Sequence, residues 1–108
     1  MIEIESLEGV TVSDWKECVE KVAEAVPWAS LFDLLAEEAT ELAWAAMKTA
    51  RVIRGENPTP VTKVKALDQV YEELSDLRLV CEILLLEPDR QVMDRKLHRW
   101  VERLKGKS

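Results

Sequence analysis

The sequence predicts an all-α protein with a core of four helices, of which the second and third are long, antiparallel and central. Three glycines and four prolines in 108 residues leave few of the turns that a β-sandwich or a β-barrel requires. Alanine, leucine, glutamate, lysine and arginine, all good helix formers, are abundant instead. The length suits one hydrophobic core, so we treat 1–108 as a single domain with a core of about 12–104.

The first helix follows a weakly alternating leader at residues 1–10. A capping-box spacing at 11–14 precedes an amphipathic stretch, which Pro27 ends. Ser30 is the next start signal, and nothing interrupts a helix from there to Arg54, a length of about 25 residues or ~37 Å. The first two helices are therefore a short one and a long one.

The last two helices are separated from the second by a loop with the sequence Gly-Glu-Asn-Pro-Thr-Pro at 55–60. The third helix is predicted from Thr62 to about Leu86. Pro88 is expected in the first turn of a fourth helix that reaches about Leu104. This loop is short enough to make the second and third helices antiparallel neighbours.

The second and third helices are apolar on several sides, more than a lone four-helix chain needs. We therefore expect a homodimer or a homotetramer formed through them. Trp28 and Trp100 are interpreted as packing residues. The two cysteines, Cys18 and Cys81, lack metal-binding spacing and are expected to be buried, reduced thiols.

The net charge of −6 argues against binding to nucleic acid or to an anionic membrane surface, because either partner would attract a basic face. No apolar run approaches the roughly 20 residues of a membrane span, and the first ten residues do not resemble a signal peptide. We expect a cytoplasmic protein. A phosphate-bearing substrate remains compatible with the charge if a bound cation makes the local field positive.

Two clusters of acids stand out, EExxE at 37–41 and EExxD at 72–76. At 100° per residue, the three acids of each cluster share one side of their helix. A run of charge is usually a solvated face, but these acids lack basic partners at helical spacing and are flanked by leucines, so they repel one another. Two such clusters on adjacent helices indicate a cation site.

The type of ligand indicates which cation would bind. Carboxylate oxygens without histidine or cysteine suit a hard ion, Mg²⁺ or Mn²⁺ as a substitute. A di-iron site would need two Glu-x-x-His motifs, and His98 follows Arg95 at that spacing. An EF-hand loop is also missing from the sequence. Since no nucleophile has a histidine base beside it, we expect attack by water.

The paired motifs resemble the EExxE…ExxD signature of the MazG-like all-α NTP pyrophosphohydrolases, a superfamily that includes dimeric dUTPases, dCTP pyrophosphatases and phosphoribosyl-ATP pyrophosphohydrolase. The resemblance covers about residues 30–104. It extends over LAEEATELAWAAMKTARVIRGENPTPV, over EELSDL and over the pattern of basic residues near the C-terminus. The 31-residue spacer between Glu41 and Glu73 is longer than is common in the superfamily.

The resemblance implies Mg²⁺-dependent hydrolysis of the α–β phosphoanhydride bond of nucleoside triphosphates. The expected substrates are dNTPs or non-canonical NTPs. It implies that the magnesium ligands are Glu38, Glu41, Glu73 and Asp76. Glu37 would be a ligand of a second metal ion, or would orient or deprotonate the attacking water. Glu38 is included with Glu37 among the catalytic candidates.

Candidates for substrate binding lie outside the acidic clusters. Lys96, Arg99 and Arg103 recur at helical spacing, either as a solvated basic face or as ligands of the phosphates. Lys48, with Arg51, is a further candidate for the same task. Trp44 either stacks on a base or packs in an interface.

Two other functions remain open at this stage. One is a phosphoribosyl-ATP pyrophosphohydrolase type of activity, which differs only in its substrate. The other is a non-catalytic helical module for oligomerisation or interaction, in which the acids are solvated surface.

Overall fold

The structure is a computed structural model that describes residues 12–106 and contains four α-helices and no strand in that range. The helices are α1 (Val12–Ala25), α2 (Trp28–Arg54), α3 (Lys63–Ile83) and α4 (Arg90–Lys105). The predicted all-α fold with two long helices at its centre is confirmed. The leader at 1–10 and Thr11 of the predicted capping box lie outside the described residues.

The main packing surface lies between α2 and α3, which run antiparallel. Small buried residues, Ala45 on α2 and Ala66 on α3, occupy part of it and permit a close approach of the two backbones. The hydroxyl of Thr49 is 2.8 Å from the carbonyl oxygen of Ala45 in its own helix and 3.3 Å from that of Ala66 on α3. This contact places the C-terminal part of α2 opposite the beginning of α3.

A second apolar cluster lies where α1, the beginning of α2 and the end of α3 meet. Val22, Leu31 and Ile83 are its buried members, one from each helix. Partly buried residues surround them, namely Val19, Val26, Leu79 and Leu84. Cys18 and Cys81 are free thiols but only partly buried, so the expectation of full burial is wrong.

Both α2 and α3 end in the same hydrogen-bonded turn. After α2, Gly55 donates to the carbonyl of Val52 and the next amide to that of Arg51. After α3, Leu85 donates to the carbonyl of Glu82 and the next amide to that of Cys81. The residue at the left-handed position has φ 72° at Gly55 and φ 58° at Leu85. This is the Schellman arrangement, and at Leu85 a side chain occupies the position that glycine normally takes.

The turn at Leu85 explains why the prediction of α3 to Leu86 is three residues too long. The apolar periodicity continues through Leu84–Leu86, and periodicity alone does not reveal a left-handed residue. The predicted start is confirmed, because Thr62 caps α3 by accepting a hydrogen bond from the Lys65 amide at 3.2 Å.

Two further helix starts differ from the prediction. Helix α2 begins at Trp28, directly after Pro27 and two residues before Ser30. Helix α4 begins at Arg90 with Asp89 as its cap, so Pro88 lies before the helix and not in its first turn. The Asp89 carboxylate accepts hydrogen bonds from two backbone amides of that first turn, at 3.0 and 3.2 Å.

Helix α4 stands apart from the other three helices and has no buried residue. One side of it is apolar and exposed, with Met93, Leu97, Trp100, Val101 and Leu104 within an arc of about 100°. The radius of gyration is 17.9 Å, whereas a compact chain of this length has about 13 Å. Trp28 and Trp100 are 74% and 63% exposed, so neither is buried as a packing residue would be. Trp28 makes an edge-to-face contact with the ring of Phe32, with 5.4 Å between the centroids. None of the helices between residues 12 and 106 has the length and apolar character of a membrane-spanning segment.

Candidate metal centre

Four carboxylates from the two central helices converge on one point. Glu38 and Glu41 come from α2, and Glu73 and Asp76 come from α3. One oxygen atom from each of the four side chains lies within 4.8 Å of all the others. In each helix the two acids are three residues apart and share one face. Because the two helices run antiparallel, the pair on α2 lies opposite the pair on α3.

The cluster is recessed between the helices and not spread over the surface. Glu38 is only 1% exposed, and its side chain is the largest fully buried one among residues 12–106. The other three members are partly buried. Because repulsion between like charges grows as water is excluded, the fold holds these carboxylates against a substantial electrostatic cost.

The electrostatic cost raises the pKa of two of the acids. The neighbouring Glu73 carboxyl group, followed by the negative charge of Glu38, raises the pKa of Glu41 from 4.5 to about 7. Burial, followed by the charges of Glu38 and Glu73, raises the pKa of Asp76 above its ordinary value. Both shifts indicate a site that holds a proton or another cation more tightly than separate carboxylates do.

The hydrogen bonding of Glu73 leaves one oxygen for a ligand. Its Oε1 accepts a hydrogen bond of 2.8 Å from the side-chain amide (Nε2) of Gln69, one helical turn earlier on α3. Its Oε2 is buried and has no hydrogen-bond partner among residues 12–106. A buried carboxylate oxygen beside three other carboxylates fits a hard divalent cation, because such ions prefer anionic oxygen ligands.

The first glutamate of each motif does not join the four carboxylates. Glu37 and Glu72 are both exposed, and neither belongs to the set within 4.8 Å. Adjacent helical residues differ by 100° in direction, so burying Glu38 between the helices turns Glu37 toward solvent. In each motif, only the second and third of the acids Glu37–Glu41 and Glu72–Asp76 therefore join the cluster between the helices. The catalytic role of Glu37 stays a prediction.

A cavity of about 350 Å³ adjoins the cluster, a volume within the range of roughly 300–1,000 Å³ that small-molecule sites occupy. Its lining residues come from α2 and α3 and are Glu41, Trp44, Ala45, Lys48, Arg51, Gln69 and Glu73. The candidates Trp44 and Lys48 thus lie beside two members of the acidic cluster. Gln69 was not singled out by the sequence, although its spacing of four residues from Glu73 allowed a helical side-chain pair.

The basic candidates of α4 lie elsewhere. Lys96, Arg99 and Arg103 are exposed, and no residue of α4 is among those that line this cavity. Within one chain, the structure therefore brings Lys48 and Trp44 to the acidic cluster and does not bring the α4 residues there.

Comparison of the chain with protein-family models, with curated proteins and with solved structures finds no match. The family resemblance carried by the acidic motifs stays a prediction. The candidate site rests on the geometry of the four carboxylates and of the adjoining cavity.

Proposed function

We propose that this chain is a Mg²⁺-dependent hydrolase that splits nucleoside triphosphates, dNTPs or non-canonical NTPs in particular, into the monophosphate and pyrophosphate. The observation that carries the proposal is the convergence of Glu38, Glu41, Glu73 and Asp76 within 4.8 Å. Such a set would hold Mg²⁺, or Mn²⁺ in its place, through oxygen ligands alone. Resemblance to the MazG-like pyrophosphohydrolases gives the same ligands and the same reaction.

The surroundings of the acidic cluster support a nucleotide as the substrate. The adjoining cavity offers cationic groups from Lys48 and Arg51 and an aromatic surface from Trp44. Cationic groups bind phosphate oxygens, and an indole ring stacks on a base. A bound magnesium ion would polarise a phosphoryl oxygen and lower the pKa of a coordinated water.

The proposed reaction is a single displacement at the α-phosphorus. A water oxygen forms a bond to the α-phosphorus, and the bond from that phosphorus to the bridging oxygen breaks, so pyrophosphate leaves. The proton of the water passes to a carboxylate of the site. Glu37, which is exposed and adjacent in sequence to the buried Glu38, is the proposed acceptor or the group that orients the water, as the family resemblance implies.

A homodimer or homotetramer in the cytoplasm is part of the same proposal. Its support is the apolar side of α4, which is exposed in the single chain together with large apolar residues of α2 and α3. Burial of this surface in an oligomer would stabilise the protein. Lys96, Arg99 and Arg103 would bind phosphate if α4 of a second copy approached the cavity.

A second candidate function is a non-catalytic helical interaction module, which the exposed apolar side of α4 favours. A module of this kind predicts no turnover, whereas the proposed hydrolase predicts metal-dependent release of pyrophosphate.

The test is an assay of the full chain with Mg²⁺ on a panel of NTPs, dNTPs and phosphoribosyl-ATP, with products identified by phosphorus NMR. We expect monophosphate and pyrophosphate from at least one nucleotide, and no reaction in EDTA. Early orthophosphate would contradict the proposed bond cleavage, and turnover of phosphoribosyl-ATP alone would move the substrate assignment. Failure of the whole panel would favour the interaction module.

A further inference from the structure

Two cationic side chains of α2, Lys48 and Arg51, line the cavity without pairing with the carboxylates nearby. Within residues 12–106, the ion pairs involve other lysines and arginines. The Nε atom of Arg51 is buried and has no hydrogen-bond partner in that part of the chain. A buried guanidinium N–H group normally has an acceptor, so this position indicates binding of an anion from outside the chain.

The helix places these cations in line with the acidic cluster. Residues 41, 44, 48 and 51 fall on one stripe of α2, within an arc of about 80° at 100° per residue. Lys48 follows Glu41 by about 10 Å along the axis, and Arg51 by about 15 Å. Long side chains in a helix lean toward its N-terminus, which brings both cationic ends back toward Glu41. The cavity is thus lined both by carboxylates of the candidate metal site and by two cationic side chains.

We propose that Lys48 and Arg51 form an anion subsite that binds the pyrophosphoryl end of the substrate and holds the pyrophosphate product. The identity of the substrate rests on the proposed function, whereas the subsite itself rests on the cavity and on the Nε atom of Arg51, which has no hydrogen-bond partner within residues 12–106. One divalent cation neutralises only part of the charge of a triphosphate, and an arginine and a lysine match the remainder. The Gln69 side chain lies at the opposite wall, from α3.

Two ordinary explanations for these side chains fit the structure less well. Basic residues near a helix C-terminus interact favourably with its dipole, and Arg51 and Arg54 both lie in the last turn of α2. Arg54 is exposed and forms an ion pair of 2.9 Å with Glu56. Arg51 differs from Arg54 because its Nε atom is buried and has no hydrogen-bond partner within residues 12–106. If Lys48 and Arg51 merely neutralised the acidic cluster, ion pairs with Glu41 or Glu73 would be expected.

Lys48 and Arg51 would recognise the diphosphate group of the substrate and not its base. Inorganic pyrophosphate should then bind at millimolar Mg²⁺ and inhibit competitively with the nucleotide. A nucleoside monophosphate lacks this group, so its binding should not depend on Arg51.

The test is calorimetric titration of the full chain with inorganic pyrophosphate at millimolar Mg²⁺. The variants are Arg51→Gln, Arg51→Lys and Lys48→Gln, with Arg54→Gln as the matched control on the same helix. Arg51→Gln should weaken pyrophosphate binding roughly 10- to 100-fold, since a hydrogen bond between charged groups contributes that much. Arg51→Lys keeps the charge but not the planar donors and should lie between Arg51→Gln and wild type. Arg54→Gln should bind as the wild type does.

Wild-type affinity in Arg51→Gln and Lys48→Gln would overturn the proposal, as would failure of the wild type to bind pyrophosphate. A lower melting temperature of Arg51→Gln in EDTA with unchanged pyrophosphate binding would mean that Arg51 neutralises the acids instead. Failure of the anion subsite can be distinguished from failure of the proposed hydrolase. If no nucleotide is hydrolysed but pyrophosphate binding depends on Arg51, the subsite stands and the hydrolase fails. If hydrolysis occurs and the variants bind pyrophosphate as the wild type does, the hydrolase stands and the subsite fails.

Discussion

The carboxyl group of Glu41 on α2 lies beside that of Glu73 on α3, in the set of four carboxylates whose oxygen atoms approach within 4.8 Å of one another. The neighbouring Glu73 carboxyl group is the main reason why the pKa of Glu41 rises to about 7, and the charge of Glu38 adds to it. In the absence of a cation, the folded chain therefore retains a proton that a separate glutamate would release.

This proton predicts how the metal-free protein responds to pH. The pKa of Glu41 in the folded chain, about 7, lies above its ordinary value of 4.5. The contribution of Glu41 to the free energy of unfolding is therefore fully present below pH 4.5 and is lost as the pH rises through about 7. The pKa of Asp76 is raised too, so its contribution has the same sign.

Urea titrations in EDTA at about pH 5 and about pH 8 measure this effect, with Glu41→Gln as the reference that does not titrate. Relative to Glu41→Gln, the wild type should lose stability between the two pH values. Millimolar Mg²⁺ should reverse most of the loss, because the ion replaces the proton. A wild type that gains stability relative to Glu41→Gln as the pH rises would contradict the account.

The acidic centre shows how far the sequence alone leads. The spacing of Glu38 with Glu41 and of Glu73 with Asp76 predicted the four acids that converge, because helical periodicity fixes which residues share a face. The same periodicity did not separate Glu37 from Glu38, since the helix rotation that buries one acid depends on packing against α3.

The surroundings of the acids were less predictable than the acids themselves. The depth at which Arg51 lies depends on the approach of α2 to α3, which small residues such as Ala45 and Ala66 allow. The end of α3 was also missed, because a leucine in the left-handed conformation leaves no signal in composition or periodicity. Long helices and their acidic faces follow from local sequence, whereas burial and helix ends require tertiary contacts.

The two equivalent turns predict opposite effects of exchanging their left-handed residues. Gly55→Ala introduces a side chain at φ 72° and should lower the free energy of unfolding by about 1 kcal/mol. Leu85→Gly removes one at φ 58° and should raise it, by up to about 1 kcal/mol after the entropy of glycine in the unfolded chain is subtracted. Urea titrations measure both. Gly106→Ala is the control, because Gly106 has φ −68° and should tolerate a side chain; equal effects at positions 55 and 106 would refute the argument.

The contact of Thr49 with α3 predicts a cost for removing its hydroxyl. Thr49→Val keeps the shape of the side chain but loses the hydrogen bonding to Ala45 and Ala66, and the free energy of unfolding should fall by about 0.5–1.5 kcal/mol. Thr40→Val is a matched control, since the Thr40 hydroxyl is exposed and bonds only within its own helix, to Ala36. Chemical denaturation of both variants makes the comparison. A loss at Thr40 as large as that at Thr49 would show that the contact with α3 contributes nothing.

The exposed apolar side of α4 predicts self-association. Analytical ultracentrifugation at micromolar concentration should give a dimer or tetramer for the wild type, because burying this surface removes large apolar side chains from water. Trp100→Ser should shift the equilibrium toward monomer. Arg95→Ser, on the polar side of the same helix, should not. A soluble wild-type monomer would leave the apolar side of α4 unexplained.

If the four carboxylates form a functional centre and not a structural one, removing one charge should not destabilise the metal-free protein. Glu38→Gln keeps the shape of a buried side chain and removes one charge from the cluster. In EDTA, its melting temperature should equal or exceed that of the wild type, by about 4–8 °C for each kcal/mol of relieved repulsion. Asp76→Asn should behave in the same way, and Glu20→Gln, an exposed residue of α1, should match the wild type in stability and in turnover.

The most direct measurement is the rate of nucleotide hydrolysis by Glu38→Gln at saturating Mg²⁺, on protein whose folding has been checked by melting in EDTA. Changes to groups that only support metal ligands reduce activity about 10- to 100-fold, so loss of a ligand should reduce turnover by more than about 100-fold. We expect this loss in a variant that is at least as stable as the wild type without metal. Turnover near the wild-type rate, combined with a lower melting temperature in EDTA, would show that the carboxylates are structural.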